Sequence, residues 1–107
     1  MKIIYKPVGG EPFEMDIDKS LESFQSLVDG YFEYVMVFQD TAVVCNEEGR
    51  IRQMPYNCTV FGMGFYGPIF FVGVGRTDWK DCNLTVDQVK NLYQEVHKDD
   101  DDTVRDE

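Results

Sequence analysis

At 107 residues, 43% hydrophobic and 14% aromatic, the chain has the length and apolar content for one buried core, which excludes an intrinsically disordered protein. A net charge of −10, with Arg50 and Arg52 the only close basic pair, argues against direct nucleic-acid binding, because nothing offsets the repulsion of phosphates. Three cysteines without CxxC or Cys/His spacing suggest neither a disulfide framework nor a zinc site, and no apolar run approaches the length of a membrane span.

Residues Lys2 to Val8 read as a strand, with Ile3, Tyr5 and Pro7 on one side and Ile4 on the other. Gly9-Gly10 supplies the positive φ of a tight hairpin. On the return limb Phe13, Met15 and Ile17 alternate with Glu14, Asp16 and Asp18, giving one apolar and one anionic face. The period then changes. Leu21, Phe24, Leu27 and Val28 share a helical face, with Asp18 or Ser20 as cap and Gly30 as stop, so a helix spans about Ser20 to Asp29. Tyr31 to Phe38 and Thr41 to Cys45 are aromatic or β-branched runs separated by Gln39-Asp40, a second hairpin.

Asn46-Glu47-Glu48-Gly49 reads as a turn with Gly49 left-handed, and Arg50-Ile51-Arg52 as the start of an outgoing strand. Gln53 to Pro68 reads as a long irregular loop rich in Gly, Pro and Asn, and loops of that length are commonly functional. Ile69 to Val74 is a strand apolar enough to be buried on both faces. A loop at Asp78 to Asp81 precedes a final helix. Thr85 and Gln88 have capping-box spacing there, Leu84 and Val89 can form a staple, and Val89, Leu92, Tyr93 and Val96 supply the apolar stripe, with His97 near its end. The order β-β-α-β-β-β-β-α predicts an α+β domain over residues 1–97, with a mostly antiparallel sheet of five or six strands and two helices packed on it. Residues 98–107 hold six acids and two bases, a charge of −4, and are expected to form a disordered acidic tail, leaving −6 on the rest.

The motifs that carry chemistry elsewhere are weak here. Glu47 and Glu48 are adjacent, so on a strand they point to opposite faces and on a turn both face water, whereas paired acid/base carboxylates must converge on one volume. Arg50 and Arg52 lie within ion-pairing reach of them. Gly62 to Gly67 satisfies GxGxxG as letters, but Pro68 and an apolar strand follow where a dinucleotide site needs a helix N-terminus. His97, the sole histidine, would have to reach a cysteine or serine to form a nucleophile pair. The DDDD run lacks EF-hand spacing. Trp79 among charges is either a contact residue or packed against the last helix. No catalytic residue, metal ligand or cofactor site is therefore expected. The start MKIIYKPVGG lacks the apolar region of a secretion signal, which favours a cytoplasmic protein with reduced thiols.

Taken in order, the Gly-Gly hairpin, LVDGYFEYV, the NEEG turn, the PYN loop, GPIFFVG and the LTVDQV helix start resemble domain-of-unknown-function family 3846, across about residues 2 to 93. The resemblance implies a small protein of bacterial phages, plasmids or other mobile elements and carries no catalytic residues. Asn46, Gly49, Pro55 and Asn57 are its turn and loop landmarks. The functional expectation is a non-enzymatic accessory protein that uses its acidic surface and the Met54 to Tyr66 segment on a basic protein partner, DNA mimicry being its sharper form. Met54, Tyr56, Asn57, Phe61, Phe65, Tyr66 and Trp79 are the candidate contacts. The alternative is a module binding a nucleotide or metabolite between sheet and loop, and the sequence is compatible with a homo-oligomer. A hydrolase using Glu47 or Glu48 is a third reading.

Overall fold

The computed structural model describes residues 1–95. The expectations for Val96, His97 and the acidic tail lie outside them. The fold is α+β and antiparallel throughout, with the two helices and the main strands in the expected order.

The first hairpin pairs β1 (Lys2–Lys6) with β2 (Phe13–Asp16), with Ile3 opposite Met15. Gly9 has φ 72° in the connection. Helix α1 (Leu21–Val28) starts at Ser20, whose hydroxyl accepts the Ser23 N–H, and stops at Asp29, which takes the left-handed conformation just before Gly30. Next come β3 (Phe32–Phe38) and β4 (Thr41–Asn46), a hairpin with a register shift between Met36 and Phe38. Strand β7 (Ile69–Val74) completes the sheet. It lies between β1 and β4 in the order β2-β1-β7-β4-β3, and a short β8 (Trp79–Lys80) pairs with its far end.

Alternation of side chains across this sheet makes two cores. Ile3, Ala42, Val44, Phe70 and Val72 face α1 and bury Phe24 and Val28. Ile4, Val43, Cys45, Ile69 and Phe71 face the other way, onto Cys58, Val60, Phe65, Cys82 and Val89. Hence β4 and β7 are apolar without a period of two: both of their faces are covered.

The covering layer on the second face corrects the sequence reading. Gln53 to Pro68 is no irregular loop. It holds β5 (Tyr56–Val60) and β6 (Met63–Tyr66), joined by a two-residue turn in which Phe61 (φ 49°) and Gly62 (φ 82°) are both left-handed, the type I′ pattern. The last helix is also shorter than expected. Helix α2 (Val86–Lys90) has the anticipated Thr85/Gln88 capping box, but Tyr93–Gln94 leave the helix as β9 and pair with β5, so the small sheet runs β6-β5-β9. Strand pairing with the exposed edge of β5 outweighs a helical stripe that α2 is too short to sustain.

The turn after β4 also differs. Arg50 to Gln53 form turns and no strand, and the left-handed residue is Gln53 (φ 58°), not Gly49. Gly49 is required for space, since a Cβ there would stand 2.7 Å from the Tyr66 carbonyl oxygen. Asn46 does more than shape this turn. Its Oδ1 accepts the Glu48 N–H at 2.7 Å, while its Nδ2 donates to the carbonyls of Val28 (3.0 Å) and Asp29 (3.1 Å), satisfying the C-terminus of α1.

Two caps thus hold α1. Replacing Ser20 by Ala should cost about 1 kcal/mol. The Asn46→Ala change, which takes the Asn46 bond from the buried Val28 carbonyl and leaves the Glu48 N–H without its acceptor, should cost more, about 2–3 kcal/mol. Urea unfolding of both variants checks the order.

Candidate functional site

Seven residues were expected to form a contact surface, and the fold distributes them between interior and surface. Asn57 is buried. Its Nδ2 donates to the carbonyls of Lys6 and Gly67, each at 2.9 Å, and its Oδ1 accepts from Lys6 Nζ at 3.0 Å. Phe65 is buried in the core under the small sheet. Met54 lies half-buried against Gly67, and Tyr56 stacks edge-on with Tyr66. Trp79 packs on Phe24 of α1 and on Tyr34, each at 5.1 Å between ring centroids, and so leans on the first helix, not the last. Phe61 alone of the seven stands well exposed, at 55%.

Lys6, which the sequence reading did not single out, is the most deeply buried charge. Its side chain has 0% exposure, and its ammonium donates to the Pro7 carbonyl (2.9 Å) and to Asn57, pairs with Glu95 (2.9 Å) and lies 5.1 Å from the centre of the Tyr93 ring. A fully satisfied ammonium at this depth is a structural clamp joining β1, β5 and β9. A signal did exist. Lys6 follows Ile4 at the period of two on a strand whose neighbours are apolar.

The carboxylates are arranged very differently. Every described Asp and Glu is exposed except Asp40, which is half-buried, and among the described residues no group of three His, Cys, Asp or Glu could hold a metal ion. Glu47 and Glu48 both face water on the turn and have no cationic partner among the described residues. Arg52 instead pairs with Asp29 (3.5 Å) and donates to its carbonyl (2.8 Å), and Arg50 lies over the Tyr66 ring.

The thiols are held neutral. Burial, then the Glu33 charge and its hydrogen bond, push Cys45 up to about 12. Burial raises Cys58 to about 12 against the opposing charge of Lys6, and burial raises Cys82 as well. None of the three is poised as a thiolate nucleophile at neutral pH.

Two surface features adjoin β3. One is a cleft of about 210 Å³ between the two sheets, walled by Glu33 and Val35 of β3 on one side and Met63, Gly64 and Tyr66 of β6 on the other, with Cys45 and Phe65 at its base and Glu47 and Arg50 on the turn. The other is an apolar rim. Phe38 (41% exposed) meets Phe61 edge-on at 5.6 Å, and Tyr34 (52%) and Met36 (42%) continue along β3.

Two predictions follow from the interior. Asn57→Ala removes the partners of two carbonyls and of Lys6, and should cost about 3 kcal/mol or more in urea unfolding. For the thiols, the folded-state values lie above the unfolded value of 9.0, so the unfolded chain ionises first as pH rises. Their stabilising contribution is complete below pH 9 and lost progressively toward pH 12. A thiol reagent at pH 8 should therefore label Cys45 and Cys58 only after denaturant is added, whereas rapid labelling of the native protein would contradict their burial.

No curated protein and no solved structure matches the chain. Among the described residues, no helix is long and apolar enough to cross a membrane. A family model does match, over residues 1–97, which includes the whole span whose fold has just been described, and its description is domain of unknown function (DUF3846). The match spans the first hairpin through the capped α2, and the chain belongs to DUF3846.

Proposed function

We propose that the protein is a non-enzymatic binding module, an accessory protein of a mobile genetic element, that engages a basic protein partner. The observation that carries this reading is the apolar margin of β3, where Phe38 and Phe61 meet on the small-sheet side and Tyr34 and Met36 stand exposed on the other face, on a molecule of net charge −10. Apolar surface held in water at a sheet margin is a common mark of a docking site. The surrounding charge selects the sign of what docks: Glu33 and Glu47 flank the cleft beside it without ion-pair partners among the described residues, and Glu48 follows on the same turn. Wet, separate carboxylates attract a cation at long range and cost little to leave unpaired, which suits encounter better than proton transfer. The mobile-element setting is supported by the resemblance of the sequence landmarks alone.

Affinity capture from bacterial lysate tests the reading. A basic protein should be retained at low salt and released as salt rises, and a Phe38→Ala, Phe61→Ala double variant should retain at least tenfold less. Capture that ignores both salt and the double variant would refute the proposal.

A further inference from the structure

We infer that β3 is a receptor strand: an extended, basic segment of the partner adds to its outer edge as one more antiparallel strand. This rests on the protein-binding reading above and assigns it a geometry. The main sheet has two ends, and they are built differently. At one end β2 spans four residues, two of them acidic, with Glu14 tied to Lys2 at 3.1 Å. Short, charged strands are how proteins blunt a sheet edge. At the other end β3 spans seven residues, FEYVMVF, with Glu33 the single charge, and among the described residues no strand pairs with its outer side.

The phase of the ladder tells which backbone groups are free. The Glu47 N–H donates to the Tyr31 carbonyl at 2.9 Å, and Tyr31 and Glu47 continue the register in which Glu33 faces Cys45 and Val35 faces Val43. In an antiparallel pair the hydrogen-bonded positions alternate, so Glu33 and Val35 direct their amides and carbonyls to β4. Phe32, Tyr34 and Met36 direct theirs outward, three donors and three acceptors along one edge.

Charge decides the occupant. The side chains of a docked strand alternate between the two faces of the sheet, and those on the cleft face would come beside Glu33, the one charge of β3, with Glu47 further along the cleft and the Arg50 guanidinium held over the Tyr66 ring on its far wall; neither carboxylate has an ion-pair partner among the described residues. Lysine or arginine on that face meets complementary charge. On the other face apolar residues meet Tyr34, which packs on Trp79, and the exposed Met36. The fitting segment therefore alternates basic and apolar residues. A second copy of this chain carries the same carboxylates and the same net charge, and is disfavoured.

The probe is a seven-residue peptide alternating Lys and Val, titrated into the full-length, isotope-labelled protein with amide exchange followed by NMR. The Phe32, Tyr34 and Met36 amides should slow at least tenfold. An analogue with Glu in place of Lys, and one N-methylated at alternate residues to block pairing, should leave them unchanged. Equal effects from the methylated peptide, protection elsewhere, or no protection would overturn the inference. Slow exchange at these amides in the free protein that depends on its concentration would assign the edge to a second copy instead. In the capture assay above, Tyr34→Pro deletes an outward N–H without touching the β4 ladder, and Tyr34→Ala controls for the lost ring. Capture lost with proline but kept with alanine supports strand addition. Capture kept with proline yet lost in the Phe38→Ala, Phe61→Ala variant refutes strand addition while the binding reading stands.

Discussion

The architecture depends on one strand being enclosed on all sides. Strand β7 is bonded to β1 and β8 along one edge and to β4 along the other, and its residues from Ile69 to Gly73 are buried. Such a strand is stable only if apolar layers cover both of its faces, because its alternate side chains enter different cores. Helix α1 supplies one layer through Phe24 and Val28, and the small sheet with α2 supplies the other through Val60, Phe65 and Val89. Gly73 marks how tightly the enclosure closes. A Cβ there would meet the Asp81 carbonyl oxygen at 2.3 Å, so the chain can pass over this point only where no side chain stands.

The polar interior is organised by the same demand. Adding a second layer over β1 buries Lys6, and a buried ammonium is tolerable only when partners replace water. Asn57 from β5 provides the central one, and it also satisfies the Lys6 and Gly67 carbonyls, so one amide ties β5 to β1 twice and to the β6–β7 connection once. Asn46 plays the matching part on the opposite face of the fold, joining the end of α1 to the turn after β4. No buried side-chain nitrogen or oxygen among the described residues lacks a partner. The acidic side chains, by contrast, remain in water, and the division leaves a polar interior devoted to structure and a charged exterior available for encounter.

Much of this was legible in the sequence where local rules and tertiary demands agree. The alternation of β2, the capped α1, the β3–β4 hairpin and the doubly apolar β7 each follow from spacing, and so does the capping box of α2. The small sheet was hidden because its turn breaks the usual preference. Phe61 occupies a left-handed position ordinarily given to Asn, Asp or Gly, so Phe61-Gly62 carries no hairpin signal, and the glycines around it resemble a loop. Strand β9 was hidden for the opposite reason: Val89, Leu92 and Tyr93 do fall at helical spacing, and only the open edge of β5 draws Tyr93 into a strand. Of the candidate contacts, those chosen for chemistry at a loop turned out to serve the junction of the sheets. Asn57 and Phe65 lie inside, and Phe61 is left outside by the turn it forms.

The position of β7 also sets a timetable for biogenesis. Its neighbours β1 and β4 are made first, and the strand that joins them emerges only after the polypeptide has passed residue 74. At a translation rate of ~5–20 residues per second, β1 spends several seconds without its central neighbour. During that interval the completed β1–β2 and β3–β4 hairpins stand with their inner edges open, so the main sheet closes only when β7 bonds to both of them.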